Sequence, residues 1–137
     1  MDDAEVMDSM DIKDEGVGLR FARALAAKDK DELRLCLAEE IDFQALTPNR
    51  HWQAASAREV VEEIVLGRWF DDGDRIQALR SASDEAVVRR RRLVYELAVA
   101  NADGEFLVEQ QAYYQCGEDG RIAWMRMLCA GYQAVDA

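Results

Sequence analysis

The sequence predicts an α+β domain in which three N-terminal helices pack on a strongly curved antiparallel sheet, giving a cone-shaped fold. The main observation is residues 85–133, where three long runs rich in Val, Ile, Leu and aromatic residues are separated by short polar segments. These separators contain Asp103-Gly104 and Asp119-Gly120. Asp-Gly between apolar runs is a strong hairpin signal, because glycine adopts positive φ without steric cost. A three-stranded antiparallel meander is therefore predicted, and the helical patterns upstream cover it.

Two helical patterns precede the first predicted strand. One apolar stripe at helical spacing marks the first helix: Val17, Phe21, Ala24 and Leu25. Asp29 and Glu32 have the spacing of a capping box, which predicts that a second helix begins there. Before both, residues 1–15 carry seven acidic side chains with weak apolar periodicity. We therefore expect a flexible acidic tail followed by a single domain over residues 16–137.

A hairpin and a third helix are predicted between these helices and the meander. The turn-forming sequence TPNR separates two short strand patterns within residues 41–53. Ser56 and Glu59 have the spacing of another capping box, and the apolar residues after them predict a helix that ends near Gly67. Residues 76–80 then form a strand pattern that leads into the meander.

Composition limits the class of protein. Of the 137 residues, half are hydrophobic and a third are charged, as expected for one globular domain. No apolar run reaches the roughly 20 residues that a membrane helix needs, and the acidic start lacks the features of a signal peptide. A cytoplasmic location is the expectation. The net charge of −11 disfavours partners such as nucleic acids or anionic membranes.

The one basic cluster is a run of four arginines at residues 89–92. Successive side chains of a strand point to opposite faces, so the run supplies two pairs and not one patch of four. We expect these arginines to pair across strands with Glu105, Glu109 or Glu118.

Cysteine and histidine are too sparse to predict a metal centre. Cys36, Cys116 and Cys129 lack CxxC spacing, which indicates reduced thiols that pack as small hydrophobic groups. His51 is the only histidine, so a site with two or three histidines cannot form within one chain. We expect no metal and no cofactor.

Two segments resemble a known family. FARALAAKDKDELRLCLAEEIDF resembles the opening of NTF2-like domains, which include SnoaL-like and ketosteroid-isomerase-like proteins. GEDGRIAWMRMLCAGY is similar to their closing strand, and the resemblance covers about Val17 to Tyr132. It implies an α+β cone, commonly dimeric through the outer sheet face, with a pocket inside. Such folds host isomerases, dehydratases, cyclases and binding domains, so the fold alone decides no activity.

The catalytic residues of the steroid isomerases are not matched. In those enzymes a tyrosine and a protonated aspartic acid hold the oxyanion, and a second aspartate is the base. The tyrosine position falls on Phe21, the base on or near Ala45, and the oxyanion acid on or near Ala112. Phenyl and methyl groups can neither donate to an oxyanion nor accept a proton. The sequence also has no match to the Asp-Arg-Asp relay of limonene-type epoxide hydrolases.

Strand alternation predicts which side chains line the interior. With Ala112 facing inward, the interior also receives Phe106, Val108, Gln110, Tyr114, Ala123, Met125, Met127 and Cys129. Trp52 and Trp69 flank the third helix and could close the cavity mouth. The candidate ligand-binding residues are Phe21, Trp52, Trp69, Gln110, Tyr114, Met125, Met127 and Cys129. The same side chains can equally form a filled core.

The opposite sheet face is predicted to be apolar. It receives Tyr113, Ile122, Trp124 and Leu128, and monomers seldom expose such patches, so a homodimer through this face is expected. A register error of one residue would exchange the two faces.

Three functions therefore remain open from the sequence. The first is binding of a small hydrophobic ligand in the cone cavity. The second is a cofactor-independent lyase, isomerase or cyclase that uses His51 or Glu96 as the base and Tyr114 as a hydrogen-bond donor. The third is a non-catalytic dimerisation module.

Overall fold

The computed structural model describes residues 16–135, and the predicted acidic tail of residues 1–15 lies outside the described residues. The described part contains three helices and six strands in the order that the sequence predicts. The helices are α1 (residues 16–26), α2 (Lys30–Cys36) and α3 (residues 57–69, wound as a π-helix over Glu59–Trp69). The strands are β1 (Leu37–Thr47), β2 (Arg50–Ser56), β3 (Arg75–Val87), β4 (Arg90–Asn101), β5 (Gly104–Cys116) and β6 (Ile122–Ala134). No helix within residues 16–135 is long and apolar enough to cross a membrane.

The six strands form one curved, unclosed sheet in the order β2-β1-β6-β5-β4-β3. Strands β4 to β6 form the predicted antiparallel meander, which β3 extends. The prediction that residues 85–100 form one strand is wrong, because a turn at Val88 and Arg89 divides this run and assigns residues 85–87 to β3. β1 pairs antiparallel with β2 but parallel with β6, so the prediction of a purely antiparallel sheet is wrong. Hairpin signals define only strands that are neighbours in sequence, and β1 and β6 are separated by most of the chain. Only α1 and α2 precede the sheet, since α3 lies between β2 and β3.

The junction between α1 and α2 follows from local backbone chemistry. Lys28 takes a positive φ of 51°, and its amide donates to the Leu25 carbonyl at 2.9 Å where α1 ends. Asp29 Oδ1 accepts a hydrogen bond from the Glu32 amide at 3.1 Å, which confirms the predicted cap of α2. Phe21 and Leu25 are fully buried, so the predicted stripe of α1 does face the core.

The third helix begins as predicted but ends later. Ser56 Oγ accepts from the Glu59 amide and donates to Glu59 Oε1, both at 3.2 Å, which confirms the capping box. The predicted stop at Gly67 is wrong, because the helix continues to Trp69 with hydrogen bonds to carbonyls five residues back. A Cβ at residue 67 would lie 2.3 Å from the Glu62 carbonyl oxygen. Glycine at this position therefore allows the π-helical conformation, because it places no Cβ against that carbonyl oxygen.

Alternation along the long strands confirms most of the predicted interior of the meander, although Phe106 is only half-buried. On β5 the buried side chains are Val108, Gln110, Ala112 and Tyr114. On β4 they are Arg91, Leu93, Tyr95, Leu97, Val99 and Ala100, and on β6 they are Ile122, Met125, Met127 and Cys129. Most of these side chains and the apolar faces of the helices form one continuous core.

The start of β6 departs from the predicted alternation. Trp124 pairs with Gln115, whereas Ile122 pairs with the next residue of β5, Cys116, so Ala123 is the extra residue of a β-bulge. Ile122 is fully buried as a result. The prediction that Ile122 lies on the outer face is therefore wrong, and Ala123, predicted inside, is the bulged residue.

Candidate functional site

Three polar side chains form a hydrogen-bonded cluster in the interior. The Arg91 guanidinium donates from Nε to Asp84 Oδ1 at 2.9 Å and from Nη2 to the Asp84 carbonyl at 3.0 Å. The Tyr114 hydroxyl donates to Asp84 Oδ2 at 2.6 Å. The Asp84 side chain is 0% exposed and that of Arg91 is 8% exposed, so this is a buried ion pair. Such a pair is maintained only where its hydrogen bonds are satisfied.

The cluster is assembled by three strands and covered by α1. Arg91 is one of the four consecutive arginines, and alternation turns its side chain inward while the neighbouring arginines stay outside. Its partner Asp84 comes from β3, and Tyr114 comes from β5. Gly18 of α1 faces the cluster, because a Cβ there would lie 2.1 Å from Asp84 Oδ2 and 2.6 Å from the Tyr114 hydroxyl. The missing side chain of Gly18 allows the helix to approach this closely.

The electrostatics of the cluster favour a structural role. Burial, together with the hydrogen bond to Asp84, raises the pKa of Tyr114 well above its usual range, so the hydroxyl stays protonated. Both carboxylate oxygens of Asp84 are engaged, one by Arg91 and one by Tyr114. Asp84 is therefore not available as a free general base.

A second polar pair lies in the apolar part of the interior. The Tyr95 hydroxyl donates to Gln110 Oε1 across the β4–β5 ladder, and both residues are fully buried. The Gln110 amide nitrogen Nε2 is buried and has no hydrogen-bond partner among the described residues. The Phe21 ring lies 6.5 Å from that of Tyr95. Buried amide nitrogens without a partner are rare in native proteins, so this one requires an explanation.

Six of the predicted ligand-binding residues are together in the core. These are Phe21, Gln110, Tyr114, Met125, Met127 and Cys129, each at most 7% exposed. The other two, Trp52 and Trp69, are partly buried and form an edge-on aromatic pair with ring centroids 5.9 Å apart. The Trp52 indole donates to Thr47 Oγ1 at 2.8 Å.

The structure does not bring the three candidate catalytic residues together. His51 is exposed on β2, where Nε2 lies 3.1 Å from Gln44 Oε1. Glu96 lies on the outer face of β4 and pairs with Arg80 at 3.5 Å. Tyr114 is on the inner face. The sequence reasoning did not identify Asp84 or Tyr95, which the fold places next to the predicted interior residues.

Metal and thiol chemistry receive little support from the described residues. Residues 16–135 contain no cluster of three or more His, Cys, Asp or Glu side chains that could hold a metal ion. The Cys36 thiol is fully buried, and burial raises its pKa to about 11. The positive charge of Arg20 lowers this pKa, but by less than burial raises it. The thiol is therefore protonated at neutral pH and a poor nucleophile.

Two adjoining clefts lie on the outer sheet face. The apolar cleft, of about 390 Å³, lies across β1, β2, β5 and β6 and includes Gln44, Leu46, His51, Tyr113, Arg126 and Leu128. The arginine cleft, of about 450 Å³, borders the β3–β4 turn and is lined by Val87, Val88, Arg89, Arg90, Tyr113, Trp124 and Arg126. Within it, the guanidinium carbons of Arg90 and Arg126 lie 3.9 and 4.6 Å from the Trp124 ring centroid. Tyr113 and Arg126 line both clefts, which are therefore continuous.

A scan against protein-family models finds no match, and none of the curated proteins is significantly similar in sequence. Many solved structures share the fold. A proposed isomerase from Rhodopseudomonas palustris has a TM-score of 0.61 at 19% identity, over 81% of this chain and 87% of that chain. An LEH-like epoxide hydrolase from M. tuberculosis has a TM-score of 0.63 at 12% identity, over 88% of this chain and 84% of that chain.

An NTF2-like protein from Burkholderia xenovorans is similar over 85% of this chain and 88% of its own, with a TM-score of 0.61 at 12% identity. Identities this low establish architecture and transfer no activity. They confirm, at the level of the fold, the resemblance that the opening and closing segments of the sequence indicated. The chain has the NTF2-like fold.

Proposed function

We propose that the protein binds a small, uncharged, mainly apolar ligand in the interior between α1 and the sheet. The observation that carries this proposal is the Gln110 amide nitrogen, which is buried and has no partner among the described residues. Its carbonyl end is fixed by Tyr95, so the free N–H groups can donate to a ligand carbonyl or ether oxygen. An apolar surround with one oriented polar group is the usual composition of a small-molecule site.

The surrounding charges favour a neutral ligand. The carboxylate of Asp84 and the guanidinium of Arg91 are paired with each other, and burying a further charge without a counter-ion is costly. Room for the ligand requires movement of side chains that now fill the interior. Met125 is unbranched and adapts its shape readily, and its movement can open this space beside Phe21.

Binding without turnover is favoured over catalysis by three features. The positions that correspond to the steroid-isomerase catalytic groups, Phe21, Ala45 and Ala112, are apolar and buried. His51 and Glu96 lie outside the interior, and Asp84 has both oxygens engaged. The activities named for the similar isomerase and epoxide hydrolase belong to those proteins.

The role of Gln110 is tested with two ligands of similar shape. Acetophenone has a carbonyl acceptor and ethylbenzene lacks one, and both dissociation constants are measurable by ligand-observed NMR. One neutral hydrogen bond contributes about 0.5–1.5 kcal/mol, so Gln110→Met should reduce the preference for acetophenone over ethylbenzene by about 2- to 10-fold. Gln115→Met, an exposed position on the same strand, is the matched control. An unchanged preference in Gln110→Met, or no binding of either compound, would contradict the proposal.

A non-catalytic dimerisation module is the second candidate, favoured by exposed apolar side chains on the outer face. Leu46, Tyr113 and Leu128 are 52%, 43% and 53% exposed, and Trp124 lines the arginine cleft together with Tyr113. Leu128→Lys should convert a dimer to a monomer in size-exclusion chromatography with light scattering. Leu35→Lys, at a 50% exposed leucine on α2, should leave the dimer intact. A monomeric wild-type protein at about 100 μM would rule out this module, given that stable dimers are far tighter.

A cytoplasmic location is the third part of the proposal. Its support is the state of the cysteines, since Cys36, Cys116 and Cys129 are all free thiols and two of them are buried. Thiols persist in reducing compartments and become paired in oxidising ones. Fractionation of cells that produce the protein, followed by thiol labelling after denaturation, would show three free thiols in the cytoplasmic fraction if the inference holds.

A further inference from the structure

The arginine cleft has positive charge that the described residues do not balance. Within residues 16–135, no carboxylate forms an ion pair with Arg89 or Arg90, and both side chains are exposed. Arg126 is the third arginine of the cleft, and its Nη1 atom lies 3.0 Å from Asp42 Oδ1. The chain as a whole has a net charge of −11, so this cleft is a basic exception on an acidic protein.

Two of these guanidinium groups are held against the Trp124 ring. Arg90 and Arg126 stack on it, which orders the flat face of each group and leaves the in-plane N–H groups to donate to a carboxylate. The Arg126 side chain uses only Nη1 toward other described residues, donating to the Asp42 carbonyl at 3.0 Å and to the carbonyl of the preceding residue at 3.1 Å. Its Nε and Nη2 groups therefore remain available as donors.

The charged surface continues into an apolar one. Tyr113 and Arg126 line both the arginine cleft and the apolar cleft, so the two clefts form one outer groove. Leu128 lies two residues beyond Arg126 on β6 and pairs with Leu46 of β1, and both leucines are more than half exposed. The four residues of strand from Trp124 to Leu128 cover about 13 Å. This separation is comparable with the length of an extended eight-carbon chain.

The turn at the charged end has a backbone conformation that its sequence disfavours. Val88 has a φ of 57° and is 97% exposed. A β-branched residue in the left-handed region is an outlier, and residues strained in this way cluster at ligand-binding positions. An apolar side chain is thus presented beside the arginines at an energetic cost. This supports a binding role for this end of the groove.

We propose that the outer groove binds a monocarboxylate with a linear apolar chain, the chemistry of a medium-chain fatty acid. The carboxylate pairs with Arg89 and Arg90, and the chain lies past Tyr113 over Leu46 and Leu128. Charge complementarity selects the anionic head, and the apolar continuation selects a chain over a small inorganic ion. The site is distinct from the interior, because it lies on the opposite face of the sheet and takes a charged ligand. The groove is open to solvent, so binding should weaken as salt is added.

The test titrates octanoate into the full chain at low salt and follows the tryptophan indole N–H signals in 1H–15N NMR spectra. Octanoate should shift the Trp124 signal in a saturable manner. Octan-1-ol has the same chain without the charge, and acetate has the same head without the chain. Each should bind on the order of 10-fold more weakly at this signal. Trp52 lines neither cleft and is a candidate interior residue, so its signal should not respond to octanoate.

Two double variants of equal charge separate local from general electrostatics. Arg89→Gln with Arg90→Gln should weaken octanoate binding on the order of 10-fold and leave octan-1-ol unchanged. Arg23→Gln with Arg75→Gln removes the same charge at exposed positions outside the groove, so octanoate binding should change by less than about 2-fold. Leu128→Ser should weaken octanoate and octan-1-ol alike, by about 3-fold, because both lose apolar contact.

Four results would overturn the proposal. Equal weakening by the two double variants would assign the effect to net charge, and acetate binding as tightly as octanoate would leave only a simple anion site. A response of Trp52 in place of Trp124 would put octanoate in the interior, which refutes the outer groove and leaves the proposed interior site standing. Lastly, a second copy of the chain on this face would make the Trp124 signal of the unliganded protein depend on protein concentration. That dependence, without a response to octanoate, would show that the groove is an interface between copies.

Discussion

Gly18 of α1 lies so close to Asp84 of β3 that a Cβ at residue 18 would be 2.1 Å from the carboxylate oxygen Oδ2. This contact joins the backbone of a helix to a buried ion pair. Asp84 cannot move aside freely, because Arg91 and Tyr114 hold its two oxygens. The spacing between α1 and the sheet therefore depends on the absence of a side chain at one residue.

Gly18→Ala should destabilise the protein even though alanine is the better helix former. Replacing glycine within a helix gains about 0.5–1 kcal/mol, whereas forcing an extra methyl group into a packed interior costs about 1–3 kcal/mol. Gly16→Ala is the control, since a Cβ there has no heavy atom within 4 Å. Urea unfolding should show a lower midpoint for Gly18→Ala and an equal or higher midpoint for Gly16→Ala. Equal gains for both variants would contradict the close contact.

Arg91→Met should be far more damaging than the same change at the next arginine. Removing one partner of a buried ion pair leaves the other charge uncompensated, at a cost of about 3–5 kcal/mol. Arg92 is half-exposed and pairs with Glu85 at 3.4 Å, so Arg92→Met should cost less than about 1 kcal/mol. The double change of Arg91→Met with Asp84→Leu should recover part of the loss in unfolding measurements. Similar losses for both single variants would show that the interior pair is unimportant.

Local signals in the sequence were sufficient for much of the fold. The N-cap at Asp29, the capping box of Ser56 and Glu59, and the Asp103-Gly104 hairpin were predicted because each depends on residues within a few positions of one another. Alternation then placed Gln110 and Tyr114 inside, because side chains on a regular strand change face at every residue.

The parts that could not be predicted depend on irregular or distant pairing. The bulge at Ala123 turns the Ile122 side chain from the predicted outer face to the interior. No residue type in this part of the sequence marks such a bulge. Two register shifts in β3 obscured its alternation, so the predicted strand of residues 76–80 missed the extension to Asp84. The sequence therefore predicted acidic partners for the arginines on other strands or loops. In the structure Arg91 pairs with Asp84 and Arg92 with Glu85, both on β3.

Val88→Asn should stabilise the β3–β4 turn. A residue other than glycine in the left-handed region costs about 1–2 kcal/mol, and asparagine tolerates this conformation better than valine does. The reciprocal test is Asn49→Val, because Asn49 takes a φ of 66° in the β1–β2 turn. Thermal unfolding should give a higher midpoint for Val88→Asn and a lower one for Asn49→Val. A lower midpoint for Val88→Asn would mean that contacts of the valine side chain outweigh its backbone strain.

Stability should fall in alkaline solution, and Cys36 should account for a distinct part of the fall. Burial raises the pKa of this thiol from its ordinary value near 9 to about 11. The folded protein therefore holds the proton more tightly than the unfolded chain does. The resulting stabilisation is complete below pH 9 and is lost as the pH rises through 11, on the order of 2 kcal/mol in total.

The measurement is urea unfolding of wild type and Cys36→Ala at intervals from pH 7 to pH 11. Cys36→Ala leaves a small cavity, so it should be less stable at neutral pH. Its stability should nevertheless decline less steeply above pH 9, because only the wild-type protein loses the thiol contribution. Burial also raises the pKa values of Tyr95, Tyr114 and Tyr132, which should cause a further loss common to both proteins. Parallel curves for the two proteins would mean that the Cys36 thiol titrates alike in the folded and unfolded chains.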